Sequence, residues 1–123
     1  MNTLLWIIQC LLALVFTLVG LMMLTTPKER IIQRAPWAEH VAPGTIKLIG
    51  ILELLGAIGL IAPMVTGILP WLTPLAAVGL ALTMVGALVT HLRHHEYPNL
   101  LLPFILLLLA LFVAYGRFVL VPA

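Results

Sequence analysis

Four long apolar stretches dominate the sequence and limit the folds that it can adopt. They cover about residues 4–24, 46–62, 71–90 and 100–120. A helix that crosses the hydrocarbon core of a bilayer needs about 20 apolar residues, and each stretch comes close to that length. Within lipid, such a helix satisfies its own backbone hydrogen bonds. The sequence therefore predicts an all-α integral membrane four-helix bundle, a single transmembrane domain over residues 1–123.

The composition agrees with a lipid-facing surface. Only 8% of the residues are charged and 63% are hydrophobic, whereas a soluble domain carries about 25% charged residues. The net charge of +2 is small and scattered, so we expect no nucleic-acid partner. Cys10 is the single cysteine and lies in an apolar stretch. It therefore excludes an internal dithiol redox centre and is interpreted as an apolar filler.

Prolines lie in the connections and near the ends of the four stretches. Pro63 and Pro70 bracket a tight second connection, which makes the second span the shortest. Thr73 and Pro74 have the pattern of a helix cap followed by a first-turn proline. In the first connection, Ile31, Ile32 and Trp37 alternate with basic residues. This pattern suits a segment in the headgroup layer with Trp37 as an anchor, or an ordinary polar loop.

The distribution of basic residues predicts the orientation in the membrane. In a four-span chain, the first and third connections, residues 25–45 and 91–99, share one side. They contain Lys28, Arg30, Arg34 and Arg93, whereas the other side contains only Arg117 and the amino terminus. By the positive-inside rule, we expect both connections in the cytoplasm and both termini outside.

Glu53 is a carboxylate in the middle of the second span, where an unpaired charge is costly. Gly50 and Gly56 lie three residues away on either side and share its helix face. Because small residues let a neighbouring helix approach, Glu53 is expected to face protein. Three roles remain open: an ion pair with His91 or Arg93, a neutral hydrogen-bonded group, or a proton relay or ligand-binding group.

The cytoplasmic end of the third span offers partners for Glu53. Gly79, Thr83, Gly86 and Thr90 form a seam of small residues that leads to this end. The topology predicts one polar pocket that contains Glu53, His91 and Arg93, with Glu96 or Asn99. Small-residue packing around this pocket is assigned to Gly50, Gly56, Gly86 and Thr90.

Two other polar clusters receive simpler interpretations. His91, His94 and His95 have the i, i+3, i+4 spacing of helical metal ligands. Pro98 follows closely, however, and basic, histidine-rich ends of membrane helices are typical of headgroup contacts, so no metal site is predicted. Arg117 lies near the end of the last span beside two aromatic residues. It is interpreted as an interfacial anchor.

Four segments occur in order along the chain: GxxExxGAIGLIAP at 50–63, LPWLTPLAAVGL at 69–80, MVGALVTHLR at 84–93 and AYGR at 114–117. Together they resemble the DoxX-like family of small four-helix bacterial membrane proteins. In many members a lysine follows the glycine at the end of the first helix, where this chain has Met22 and Met23. The resemblance implies a location in the bacterial inner membrane. It also implies a link to quinone chemistry, because the family name comes from a thiosulfate:quinone oxidoreductase, and other relatives are associated with redox complexes or membrane-protein assembly.

Three functions are compatible with this sequence, which by itself names no reaction. In the first, an accessory or redox subunit binds a lipophilic ligand, such as a quinone, between the second and third spans. Glu53 and His91 then handle a proton, Arg93 holds an anionic group, and a partner supplies electrons. In the second, the protein is a non-enzymatic scaffold that assembles with itself or with another membrane protein. In the third, it is a small oligomeric transporter.

Overall fold

A computed structural model describes all 123 residues, the side chain of Arg34 excepted. Four long helices form the bundle: α1 (Asn2–Thr25), α3 (Pro43–Thr66), α4 (Leu72–Arg93) and α5 (Leu101–Tyr115). A 3₁₀ turn (Tyr97–Leu100) precedes α5, and a π-helical turn (Gly116–Leu120) follows it. The first connection contains the short helix α2 (Lys28–Arg34) and a 3₁₀ turn (Pro36–His40). We call residues 28–40 the strap.

The prediction of an all-α membrane bundle is confirmed. Three of the four spans are α1, α3 and α4, and the fourth, Tyr97–Leu120, consists of α5 with the turns on either side of it. The spans are 22 or 24 residues long, which corresponds to about 33–36 Å of helix at a rise of about 1.5 Å per residue. This length exceeds the hydrocarbon core of a bilayer, which is about 30 Å thick. Only 28–33% of the most apolar part of each span is buried within the chain. The remaining apolar surface faces outward, as expected for lipid contact.

The helices close into a ring of contacts. Helix α1 packs along α3, α3 contacts α4, α4 packs along α5, and α5 returns to α1. The centre is filled by buried residues from all four helices: Leu12, Phe16, Ala57, Leu60, Ala77, Leu80, Leu106 and Ala110. A second apolar cluster joins Met23, Ile31, Ala38 and Ile46. It fixes the strap across one end of the bundle, so the interpretation of this segment as an ordinary polar loop is wrong.

Glycines allow α3 to approach both of its neighbours. A Cβ atom on Gly50 would lie 2.9 Å from the carbonyl oxygen of Gly20 in α1. A Cβ atom on Gly56 would lie 2.6 Å from a methyl carbon of Leu80 in α4. Both distances are shorter than van der Waals contact. At Gly50 the close atom belongs to the backbone, so a larger residue would push α1 and α3 apart, whereas at Gly56 the end of the Leu80 side chain would have to move. These close approaches agree with the packing role predicted for Gly50 and Gly56.

Helix α3 continues past Pro63 and ends at Thr66, so the prediction that the second span is the shortest is wrong. Proline has no N–H, and the carbonyl of Gly59, four residues earlier, therefore lacks its helical donor. The hydroxyl of Thr73 in α4 donates a hydrogen bond to this carbonyl at 2.9 Å. Thr73 thus joins two helices, and the prediction that it caps α4 is wrong, because its side chain makes no cap hydrogen bond.

We expect Thr73→Val to destabilise the bundle by about 1–3 kcal/mol, the usual cost of a buried polar group without a partner. The change keeps the side-chain shape but leaves the Gly59 carbonyl without a donor. The measurement is reversible unfolding by sodium dodecyl sulfate in mixed micelles. Thr25→Val is the matched control, because the exposed Thr25 hydroxyl bonds only to Leu21 of its own helix. Equal effects of the two substitutions would contradict the interhelical role of Thr73.

Candidate functional site

A cavity of about 660 Å³ lies at the end of the bundle that carries the strap. Helices α3 and α4 are held together at the contacts of Thr73 with Gly59 and of Leu80 with Gly56. Past these contacts the cavity lies between the helices, and a Cβ atom on Gly86 would meet no described atom within 4 Å. The assignment of Gly86 to interhelical packing is therefore wrong. Gly86 instead lines the cavity.

Most of the cavity wall is apolar, and the wall comes from six parts of the chain. Helix α1 contributes Phe16, Val19, Met22 and Met23, the strap contributes Ile31, Ala35 and Trp37, and α5 contributes Leu102, Pro103 and Leu106. The polar lining consists of Glu53 from α3, Thr83, Thr90 and His91 from α4, and Asn99 from the turn before α5. A few polar groups in an apolar wall are typical of a small-molecule site, for which volumes of about 300–1,000 Å³ are usual.

Glu53 is 3% exposed, which confirms that it faces protein, and it lies in the cavity wall. Its Oε2 atom has no hydrogen-bond partner among the described residues. Buried polar atoms in folded proteins are nearly always hydrogen-bonded, so each exception calls for an explanation. Two of the other described exceptions, Nδ1 of His91 and Oε2 of Glu96, lie at the same end of the bundle, and the third is Nη2 of Arg117. An unpartnered carboxyl oxygen in a cavity wall can accept a hydrogen bond from a molecule inside the cavity.

His91 and Glu96 form a second polar group at the cavity edge. The Nδ1 atom of His91 lies 3.4 Å from Oε1 of Glu96, and Nδ2 of Asn99 donates to the same oxygen at 3.2 Å. His91 and Asn99 line the cavity, whereas Glu96 is not part of its wall. Glu96 orients Asn99 through this hydrogen bond, and Nδ1 of His91 makes no hydrogen bond to a described residue. The structure therefore brings Glu53 and His91 to one cavity, with Glu96 in contact with His91.

Arg93 does not join this group. Its side chain is exposed and lies outside the cavity wall, so its predicted place in the pocket is wrong. Because Arg93 follows His91 by two residues, an α-helix directs the two side chains to different faces. Thr90 does line the cavity, and its hydroxyl donates to the carbonyl of Gly86 at 2.9 Å.

The histidines of the HLRHHE segment do not converge on one point. The ring of His94 stacks on that of His40 in the strap, with centroids 5.1 Å apart. Nδ1 of His95 lies 2.9 Å from the hydroxyl of Tyr97. These contacts separate both rings from His91. The stacking of His94 on His40 links the end of α4 to the strap, so it helps to hold the strap beside the cavity.

Sequence reasoning missed the contributions of α1 and the strap to this cavity. It placed the pocket between α3 and α4 alone and took Trp37 for an interfacial anchor. Trp37 lines the cavity instead, as does Ile31 of the same strap. A signal for α1 was present, because Phe16, Val19 and Met23 have the i, i+3, i+7 spacing of one helix face that also includes Gly20. No comparable pattern marks the strap, whose position depends on the tertiary contacts of Ala38 and Ile46.

A buried polar network lies at the opposite end of the bundle and centres on Arg117. Its Nε atom donates to Oε1 of Gln9 at 2.7 Å, and Nη1 donates to Oδ1 of Asn2 at 2.8 Å. Gln9 in turn donates from Nε2 to the carbonyl of Leu60 at 2.6 Å. The guanidinium also lies 5.5 Å from the ring centre of Trp6, a favourable cation–π distance. The network joins α1, α3 and the π-helical turn after α5.

Arg117 is 2% exposed, so the interpretation of this residue as an interfacial anchor is wrong. The π-helical turn places its side chain between the helices, and Gly116 beside it lets Leu5 of α1 approach. A Cβ atom on Gly116 would lie 2.5 Å from a methyl carbon of Leu5. The polar residue Gln9 within the first apolar stretch was the sequence signal for this network.

Comparison with known proteins agrees with the architecture. The chain matches the DoxX-like family over residues 7–113, which includes most of α1, the strap, α3, α4 and most of α5. None of the curated proteins and none of the solved structures matches the chain. With four apolar helices long enough to cross a bilayer, it is a multi-pass integral membrane protein. The match covers most of the sequence, and the chain therefore belongs to the DoxX-like family.

Proposed function

We propose that this protein binds a lipophilic ligand, specifically a quinone, in the Glu53 cavity and serves as an accessory redox subunit. The observation that carries the proposal is the unpartnered Oε2 atom of Glu53 in the wall of a large apolar cavity. A quinone combines an apolar ring and tail with two polar oxygens. The aromatic side chains of Phe16 and Trp37 in the wall supply surfaces against which such a ring can pack.

The residues of the cavity have separate roles in this proposal. Glu53 accepts or relays a proton, and His91 shares it, because both side chains border the same space. Reduction of a quinone takes up two electrons and two protons, and a partner protein supplies the electrons. The Glu96 carboxylate, 3.4 Å from Nδ1, would stabilise His91 when the ring carries the proton. Arg93, exposed outside the cavity, has no role in ligand binding.

The distribution of charge supports an orientation for the site. The strap end of the bundle carries Lys28, Arg30 and Arg93, whereas Arg117 at the other end is buried. By the positive-inside rule, the cavity then lies toward the cytoplasmic face of a bacterial inner membrane, with both termini outside. The outward-facing apolar surface is available for lipid, for a second copy of the chain or for a partner membrane protein.

The scaffold role fits the site less well. In that role Glu53 would link two helices, and a neighbouring helix would satisfy its hydrogen bonds. Its Oε2 atom lacks a described partner, and Arg93, the proposed counterpart, is exposed. Thr73, Gln9 and Arg117 make hydrogen bonds between parts of this bundle, and Glu53 makes none through Oε2 to a described residue. Binding of a ligand is therefore the better explanation for Glu53.

Substitution of Gly86 tests the proposal by filling the cavity. Gly86→Leu introduces a side chain at a position with open space, so we expect the fold to persist and the affinity for a short-chain quinone to fall at least tenfold. Gly79→Leu is the control, because Gly79 also has open space but does not line the cavity. Equilibrium dialysis in detergent micelles measures both affinities.

An unchanged affinity in Gly86→Leu, with retained helical content, would place any quinone outside this cavity. Equal losses in the two variants would show that the effect arises from helix packing rather than from occupation of the cavity. Either result would overturn the proposed function.

A further inference from the structure

The threonines of the cavity wall present acceptors rather than donors. The hydroxyl of Thr83 donates its proton to the carbonyl of Gly79 at 3.0 Å, and that of Thr90 donates to Gly86 at 2.9 Å. A hydroxyl has one proton and two lone pairs. With both protons used within α4, each threonine oxygen has only its lone pairs left for a molecule in the cavity.

Three further side chains of the cavity wall carry N–H groups: His91, Asn99 and Trp37. One N–H of Asn99 points to Oε1 of Glu96, and the same oxygen lies 3.4 Å from Nδ1 of His91. Nδ1 makes no hydrogen bond to a described residue, but the nearby carboxylate favours the tautomer with its proton on that nitrogen. In a neutral His91 ring, Nε2 is then an acceptor. Asn99 keeps one N–H and its amide oxygen.

Glu53 adds a further acceptor that no described residue satisfies. As a carboxylate it only accepts hydrogen bonds, and as a carboxylic acid it offers a single proton. No described side chain in the cavity wall is a lysine or an arginine. The donors left are the indole N–H of Trp37 and one N–H of Asn99, so acceptors outnumber donors around the cavity in either state of Glu53.

We infer that the site prefers ligands whose polar head donates hydrogen bonds, and that it binds the quinol form more tightly than the quinone. This inference rests on the proposed function and specifies its ligand. A quinone carbonyl has only lone pairs, which would face the lone pairs of Glu53, Thr83 and Thr90. A quinol has two O–H groups, and one of them can donate to Glu53 in a charge-assisted hydrogen bond, which is stronger than a neutral one.

The test compares three ligands of the same ring and tail under argon: a short-chain benzoquinol, its quinone and its dimethyl ether. The ether keeps the ring oxygens of the quinol but has no O–H. Isothermal titration calorimetry with the purified wild-type protein in micelles gives the dissociation constants, and empty micelles correct for partition. We expect the quinol to bind at least about tenfold more tightly than either other ligand, as one hydrogen bond to a charged group implies.

Glu53→Gln provides the second readout. Glutamine has a similar shape, and its amide can donate to a quinone carbonyl, so the ratio of quinone to quinol dissociation constants should fall toward one. An unchanged ratio in this variant would show that Glu53 does not set the preference. In the wild type, equal or tighter binding of the quinone would overturn the inference and leave the proposed function standing. Binding of none of the three ligands would overturn both.

Discussion

Replacement of Arg117 by methionine is expected to destabilise the bundle by about 1–3 kcal/mol, the range for a buried polar group left without its partner. Methionine approximates the length of arginine but cannot donate a hydrogen bond. The substitution would leave Oε1 of Gln9 without its donor at 2.7 Å and Oδ1 of Asn2 without its donor at 2.8 Å. Unfolding by sodium dodecyl sulfate in mixed micelles measures the change.

A double-mutant cycle with Gln9→Leu isolates this interaction. In the Gln9→Leu background the hydrogen bond from Arg117 to Gln9 is already absent, so Arg117→Met should cost less stability there than in the wild type. We expect a coupling energy within the range of about 0.5–3 kcal/mol for interacting pairs. Arg93→Met is the control for loss of a positive charge, because the Arg93 side chain is exposed. It should change stability by less than about 0.5 kcal/mol. Additive effects of the Gln9 and Arg117 substitutions would contradict the network.

Replacement of Glu53 by leucine is expected to change stability and ligand binding in opposite directions. Leucine removes a buried carboxyl whose Oε2 atom has no described partner, and burial of an unpaired polar group costs about 1–3 kcal/mol. The variant should therefore be more stable than the wild type by up to about that amount. Its affinity for a short-chain quinol should fall at least about tenfold, since a hydrogen bond to a charged group is lost.

The sign of the stability change distinguishes a ligand site from a structural contact. Functional groups in a site are often unfavourable for stability, and their removal stabilises the fold. If Glu53→Leu destabilised the bundle as strongly as Thr73→Val, Glu53 would be an interhelical contact and the scaffold role would be favoured. Retained quinol affinity in the variant would likewise exclude Glu53 from the site. The same unfolding and calorimetric measurements provide both results.

The sequence predicted the helical elements well, because the physics that defines them is local. Long apolar runs can only be helices in lipid, and α1, α3, α4 and α5 follow the four stretches. The burial of Glu53 and the roles of Gly50 and Gly56 could also be anticipated from spacing along one helix. These three residues lie on the face of α3 that packs against neighbours, so a period of about 3.6 residues was sufficient.

The remaining features depend on which helices meet, and spacing along one helix does not determine this. Thr73 has the pattern of a cap. Its hydroxyl instead donates a hydrogen bond to the Gly59 carbonyl, which Pro63 leaves without a helical donor. Arg117 has the pattern of an anchor, yet Gln9 in α1, 108 positions away, accepts its hydrogen bond. Gly86 has the pattern of a packing residue, but α3 does not approach it, and its surface lines a cavity instead.

The most direct test of the Glu53 cavity as a quinone site is photoaffinity labelling in native membranes. A photoreactive quinone analogue is crosslinked to the protein, with and without excess unlabelled quinone, and the modified residues are identified by peptide mass spectrometry. We predict competed adducts on the α1 residues that line the cavity, Phe16, Val19, Met22 and Met23, and on the strap near Trp37, and their loss in Gly86→Leu. Adducts confined to outward-facing residues such as Leu14 and Leu18, unaffected by competitor, would contradict the proposed site.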